Sequence, residues 1–199
     1  MNRLEELGDR IESRDALMGV IGLGYVGLPL AIALSKAGFQ VTGIDVDGEK
    51  IRQLEVNSSY IEDVPSSEIA TARSEGRFEA SSDFSVLTRL DVIHICVPTP
   101  LTRSKDPDVS YMAKAVEEIR RRLRSGQLVI LGSTTYPGTT HDLFVPMLEE
   151  TGLRVGEDFC LAFAPERIDP ANQDFKIREI PKVVGGETPK CRDLARQVF

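Results

Sequence analysis

The chain has 199 residues, a formal net charge of −7, 41% hydrophobic residues, 3 cysteines and no tryptophan. At roughly 150 residues per domain that length allows one domain and a remainder, and its longest unbroken apolar stretch, Leu28 to Leu34, is far short of the roughly 20 residues of a membrane span. Net acidity argues against a polyanion such as nucleic acid as the natural partner, and the low, odd cysteine count argues against a disulfide scaffold and for a reducing cytoplasm.

The N-terminus carries Glu5 and Glu6 where a secretory leader would have a basic region and an apolar run. Leu4, Leu7, Ile11 and Leu17 have loose helical spacing and predict an amphipathic helix within residues 1–17, ahead of a main domain over 18–187. Strand-like runs follow at Met18–Leu23, Gln40–Ile44, Arg77–Ala80, Asp91–Val97, Leu128–Leu131, Phe159–Ala164 and, more weakly, Lys182–Val184. Helix-like segments lie between them near 25–37, 48–56, 66–75, 83–89, 109–124 and 139–151. In segment 109–124 the residues Val109, Met112, Ala113, Val116, Ile119 and Leu123 share one face. Its terminal arginines, Arg120 to Arg122 with Arg124, read as a solvated face that suits the negative helix end. Thr188-Pro189 reads as a cap with proline at the first helical position, so 188–199 is expected to begin a helix that continues toward further domains.

Strands alternating with helices predict a sheet covered on both faces, and runs such as Val92-Ile93-His94-Ile95-Cys96-Val97 are apolar throughout rather than alternating. The expected fold is therefore α/β, a doubly wound and mostly parallel Rossmann-like sheet of about six to seven strands. In such sheets ligands bind beyond the carboxyl ends of the strands. Polar groups and glycines recur there: Gly22-Leu23-Gly24-Tyr25-Val26-Gly27 after the first run, Asp45 after the second, Pro98-Thr99-Pro100 after the fourth, Ser133-Thr134-Thr135 after the fifth, and Pro165-Glu166-Arg167 after the sixth.

The first of these fits a dinucleotide fingerprint. Gly22 permits the tight turn, Gly24 lets backbone approach a pyrophosphate, and Gly27 allows helix to pack on strand. The anion would rest on the free N–H groups at the helix start. Asp45 can accept hydrogen bonds from a ribose diol and would repel a 2′-phosphate, which favours NAD over NADP. Asp47 reads as a helix cap; Lys50 reads as a group within reach of the adenosine end, or else as an exposed helix lysine.

Val20-Ile21-Gly22-Leu23-Gly24-Tyr25-Val26-Gly27-Leu28-Pro29, Gly43-Ile44-Asp45-Val46-Asp47, Cys96-Val97-Pro98-Thr99-Pro100-Leu101, the run Ser133 to Thr140 and Ala164 to Pro170 together resemble the UDP-glucose/GDP-mannose dehydrogenase family. The last two are most similar to the branch that oxidises UDP-N-acetylhexosamines. The resemblance implies oxidation of a sugar C6 alcohol to a carboxylate with two NAD, through an aldehyde trapped by a cysteine thiolate and a thioester hydrolysed by base-activated water. It further implies that Glu166 is that base and that Thr134 orients the water or cofactor. Thr99, Tyr25 and Val26 would line the NAD site, and Arg167 and Ile168 would contact the UDP-sugar. Intact members are expected to form homodimers.

Two positions depart from the pattern: Gly132 stands where this branch usually has Glu, and Pro170, beside Asp169, stands where some UDP-glucose members carry a second carboxylate. The family's Gly-Gly-His-Cys segment does not occur, so the chain is expected to bind NAD without turning substrate over. Cys96 and Cys160 read as inert core, and Cys191 as a thiol near a helix start with no supporting His. His94 and His141 read as structural, and no spacing predicts a metal site. Two other readings are a non-catalytic NAD-binding regulatory module and another Rossmann dehydrogenase of the 3-hydroxyacid or 6-phosphogluconate type.

Overall fold

A computed structural model describes residues 2–103, 105, 107–165 and 181–199. Its sheet comprises β1 (Leu17–Ile21), β2 (Gln40–Ile44), β3 (Phe78–Ser81), β4 (Val92–Ile95), β5 (Leu128–Leu131), β6 (Cys160–Phe163) and β7 (Gly185–Gly186), in the order β3-β2-β1-β4-β5-β6-β7. Every pairing is parallel except β6 with β7. The chain winds outward from β1 through β2 to β3, then restarts at β4 on the other side of β1. That reversal is the topological switch point of a doubly wound sheet.

Among the described residues, seven α-helices cover the sheet: α1 (Arg3–Glu12), α2 (Gly27–Lys36), α3 (Gly48–Glu55), α4 (Ser66–Ser74), α5 (Ser110–Arg120), α6 (Val145–Glu149) and α7 (Pro189–Val198). All four residues of β4 and of β5 are buried, as the unbroken apolar runs require. Successive side chains of a strand point to opposite faces. Leu128 and Ile130 accordingly join one apolar cluster with Leu7 of α1, Leu28 of α2 and Leu194 of α7, while Val129 and Leu131 join a second with Met112 and Val116 of α5 and Leu148 of α6.

The N-terminal helix belongs to the first cluster through Leu4, Leu7 and Ile11. Asn2 caps it in a reciprocal pairing with Glu5. At the amino ends of β1 and β4 the buried Asp91 carboxylate holds it down. Arg10 of α1 donates to Asp91 at 2.8 Å and pairs with it at 2.7 Å, Arg124 donates at 2.8 Å and the Leu17 N–H at 2.8 Å. A buried carboxylate is tolerated only with such compensation.

Several elements differ from expectation. The weak run Lys182–Val184 is irregular, and the seventh strand is the glycine pair Gly185–Gly186, antiparallel to β6. Segment 83–89 is a 3-10 turn, Phe84–Thr88, capped by Asp83. Helix α5 stops at Arg120, where Arg122 N–H donates to the Ile119 carbonyl at 2.8 Å and tightens the last turn. Segment 139–151 divides into a π-turn, Thr139–Phe144, and α6, because Pro146 has no N–H for the preceding turn. Arg124 is not part of a solvated face: it reaches Asp91 and the Leu90 carbonyl, at 2.8 and 2.9 Å. Thr188 does cap α7, accepting from the Cys191 N–H with Pro189 in the first turn. No helix among the described residues is long and apolar enough to cross a membrane.

Candidate functional site

At the switch point the carboxyl ends of the strands border a cleft of about 1560 Å³. Gly22, Gly24, Tyr25, Val26, Asp45, Lys50, Thr99 and Thr134 all line it, so residues far apart in sequence do meet at one edge of the sheet.

The glycine loop between β1 and α2 needs its glycines for different reasons. Gly22 has a φ of +92°, and a Cβ there would lie 2.5 Å from the Cys96 carbonyl oxygen. Gly27 lies beneath the cleft, where a Cβ would fall 1.7 Å from the Gly22 carbonyl oxygen. A Cβ on Gly24 would meet nothing within 4 Å; the space beside it is the cleft. Among the described residues, the N–H groups of Gly24, Tyr25 and Val26 find no backbone acceptor. Unpaired donors at the positive end of α2 form an anion cradle that an added side chain at Gly24 would fill.

Asp45, at the end of β2, is 5% exposed. Its Oδ2 accepts from the Leu23 N–H at 2.8 Å and from Lys50 Nζ at 2.9 Å, and its Oδ1 accepts from the Asp47 N–H at 3.0 Å. The carboxylate thus ties the second strand to the glycine loop. Lys50 is neither a free surface lysine nor pointed only at ligand; it pairs with Asp45. Asp47 caps α3 through the Glu49 N–H at 2.9 Å. An acidic acceptor in this place suits a ribose diol and repels a 2′-phosphate, so the donor set fits NAD.

Thr99 follows β4 and is partly buried; Thr134 follows β5 and is exposed. The preceding Ser133 donates to the Val97 carbonyl at 2.7 Å, fastening the two strand-end loops together. A Cβ at Gly132 would lie 3.1 Å from the Ile95 carbonyl oxygen and 3.2 Å from Cys96 Sγ, which leaves little room for a larger residue. Thr139 donates to the Tyr136 carbonyl at 2.8 Å and lies 2.8 Å from the Thr135 hydroxyl, steadying the rest of this loop. Glu166, Arg167, Ile168 and Asp169 lie outside the described residues.

Sequence reasoning missed Tyr60. It lies between α3 and α4, lines the cleft, and its hydroxyl donates to the Leu23 carbonyl at 2.7 Å. Burial, then the Asp45 and Asp47 charges, push this phenol far above its ordinary range. The position carries no motif; only an isolated aromatic residue in an irregular connection hinted at it.

Cys96 is buried as expected yet borders the cleft, whereas Cys160 and Cys191 do not line it. The hydrogen bond of Cys160 draws the Cys191 thiol down to about 6, against its own burial, while Cys160 is pushed up. His94 is buried with no hydrogen-bond partner for its Nε2 among the described residues, and burial holds it down at about 3. His141 pairs with Glu187, which raises its pKa. Arg121 and Arg122 also border the cleft, but they pair with Glu117 and Glu118 of their own helix. Among the described residues no group of three or more His, Cys, Asp or Glu could hold a metal ion.

Comparison with known proteins gives the same picture. The profile of the UDP-glucose/GDP-mannose dehydrogenase family, NAD binding domain, matches residues 16–199. The chain is 36% identical over 189 residues to UDP-N-acetyl-D-glucosamine 6-dehydrogenase of Pseudomonas aeruginosa, covering 94% of this chain and 43% of that protein. It is 34% identical over 183 residues to UDP-N-acetyl-D-mannosamine dehydrogenase of Pyrococcus horikoshii, covering 92% and 44%. Among solved structures, NDP-N-acetyl-D-galactosaminuronic acid dehydrogenase from Methanosarcina mazei superposes with a TM-score of 0.87 at 33% identity, over 100% of this chain and 44% of that one. The chain therefore spans less than half the length of these relatives.

Proposed function

This chain belongs to the UDP-glucose/GDP-mannose dehydrogenase family as its NAD binding domain, and from that premise we propose that the whole protein oxidises the C6 alcohol of a UDP-N-acetylhexosamine to the uronate with two NAD. The observation that carries the reading is the convergence of the glycine loop, Asp45, Thr99 and Thr134 on one cleft. The branch is supported by relatives named for UDP-N-acetyl-D-glucosamine and UDP-N-acetyl-D-mannosamine. The low, odd cysteine count supports a reducing cytoplasm as its compartment, and by the same resemblance the whole protein is a homodimer.

When bound, NAD supplies the hydride acceptor. The residues of this chain bind and orient it. The free N–H groups of Gly24, Tyr25 and Val26 receive the pyrophosphate at the start of α2. Asp45 accepts from the ribose diol. A carboxylate has about four acceptor positions; Leu23, Asp47 and Lys50 fill three. One remains for a ribose hydroxyl, and a second opens when the partly exposed Lys50 turns toward solvent. Thr99 and Thr134 follow β4 and β5, on the other side of β1 from Asp45, and would line the remainder of the NAD site. Glu166 is the base that activates water for thioester hydrolysis, with Arg167 offering a cation to the anionic sugar nucleotide and Ile168 an apolar contact. Cys160 and Cys191 are buried away from the cleft, so neither is the thiol that traps the aldehyde.

Calorimetric titration of the chain should show saturable NAD binding and markedly weaker NADP binding. No NAD binding by folded protein would overturn the cofactor assignment to this cleft. The full protein should turn over UDP-N-acetylglucosamine or UDP-N-acetylmannosamine; turnover of UDP-glucose alone would overturn the branch.

A further inference from the structure

We propose that Tyr60 is a positioning residue for pyrophosphate recognition: its hydroxyl, bonded to the Leu23 carbonyl, sets the direction in which the glycine-loop amides point. The proposal rests on the cleft being the NAD site. Leu23 occupies the middle of Gly22-Leu23-Gly24, and its backbone is held from two sides. Its N–H donates to Asp45 at 2.8 Å, and its carbonyl accepts from Tyr60 at 2.7 Å. Among the described residues, Tyr60 is the one donor to that carbonyl.

A trans peptide is planar, with its C=O and N–H pointing in opposite directions. Holding the Leu23 oxygen against Tyr60 therefore turns the Gly24 N–H away from Tyr60, to a side where it meets no backbone acceptor among the described residues. The Leu23–Gly24 peptide is also the one most able to rotate, because glycine imposes little restriction on its own backbone. A rotated peptide would replace a donor with a carbonyl oxygen facing two phosphates. The Tyr60 bond opposes that rotation before ligand arrives, which is preorganisation in the sense that raises affinity without a new ligand contact.

The surroundings suit this role. Tyr60 is steadied by its own connection, where the Ser59 hydroxyl donates to the Ile61 carbonyl at 3.0 Å and the Ser59 N–H donates to Ser66 at 3.0 Å. Burial and two neighbouring carboxylates keep the phenol protonated, so it remains a donor across the physiological range. Asp45 fixes the amide side of Leu23 and also serves the ribose; Tyr60 fixes the carbonyl side.

The experiment compares wild type with Tyr60→Phe, which keeps the ring and removes the hydroxyl. NAD and ADP are titrated by calorimetry and adenosine by chemical-shift perturbation. The variant is expected to bind NAD and ADP about tenfold more weakly, the scale of one lost hydrogen bond, and adenosine as well as wild type does. In the free variant, the Gly24 amide should exchange with solvent deuterium faster than in wild type. Unchanged NAD affinity in the variant overturns the proposal alone, as does a loss of equal size for adenosine, which would mean that Tyr60 supports the nucleoside wall. A wild type that binds none of the three overturns the site assignment and the proposal with it.

Discussion

Replacing Asp45 tests the proposed cofactor site most sharply, because the proposal gives this carboxylate two tasks, holding the glycine loop and accepting from the ribose. In the free chain it accepts from Leu23 and Lys50 through Oδ2 and from Asp47 through Oδ1. Asp45→Ala removes the one or two acceptor positions open to the ribose diol. A hydrogen bond to an ionised acceptor contributes about 1.5–3 kcal/mol, and the lower figure for one or two such bonds gives about 1.5–3 kcal/mol, or about 10- to 150-fold in Kd. The same change strands the Leu23 N–H, so the variant should also melt earlier. Asp45→Asn separates the effects, since it keeps an acceptor while removing the charge. NAD should weaken less than in Asp45→Ala, and discrimination against NADP should shrink, because Lys50 is released to meet a 2′-phosphate. Calorimetry with both cofactors at neutral pH and constant salt reads each quantity. Unchanged NAD affinity in folded Asp45→Ala would refute the ribose role.

Gly27→Ala forces a methyl group to within 1.7 Å of the Gly22 carbonyl oxygen; it should cost about 3 kcal/mol or more, at the upper end of overpacking, and abolish NAD binding, measured by denaturant melts and titration. Asp91→Ala removes a carboxylate that is 1% exposed and leaves two arginines without it. Because Arg10 and Arg124 are 43% and 36% exposed and can turn to water, the loss should be about 2–4 kcal/mol, below the full buried-pair figure, with NAD affinity unaltered. His94 is held at about 3 by burial and then by the Lys182 charge, so between that value and its ordinary 6.5 the unfolded chain binds the extra proton. Stability is therefore greatest above pH 6.5 and falls as pH drops, by up to about 1.4 kcal/mol per unit from this group; denaturant melts of His94→Leu at neutral and acid pH should show a flatter slope.

The sequence is most legible where one physical rule acts alone. β2 and β5 have the limits that their apolar runs predict, because a strand buried on both faces admits little else. The glycine turn is legible because positive φ and close backbone approach each demand glycine, and the place of Asp45 is legible because it directly follows the second apolar run. β7 was hidden because Gly185–Gly186 pairs through backbone alone, while the β-branched residues beside it attract a strand assignment. The helix break near Pro146 arises from that residue's missing N–H rather than from the apolar pattern. Tyr60, Arg124 and the Lys50–Asp45 pair were hidden for another reason. Their partners are set by tertiary proximity, and a side chain's spacing along the chain does not say which distant carbonyl or carboxylate it will meet.

The Asp91 clamp stands at the start of β1 and β4, and the glycine loop at their end. A strand of five residues separates the two by about 15 Å, beyond the range over which substitutions usually couple. Lesions at the clamp should therefore register in melting curves and leave ligand titrations unchanged, and the stability changes of lesions at the two rims should add. For protein engineering this is useful: a library that reshapes cofactor preference can be built on a background hardened at the clamp, with each set of changes optimised separately.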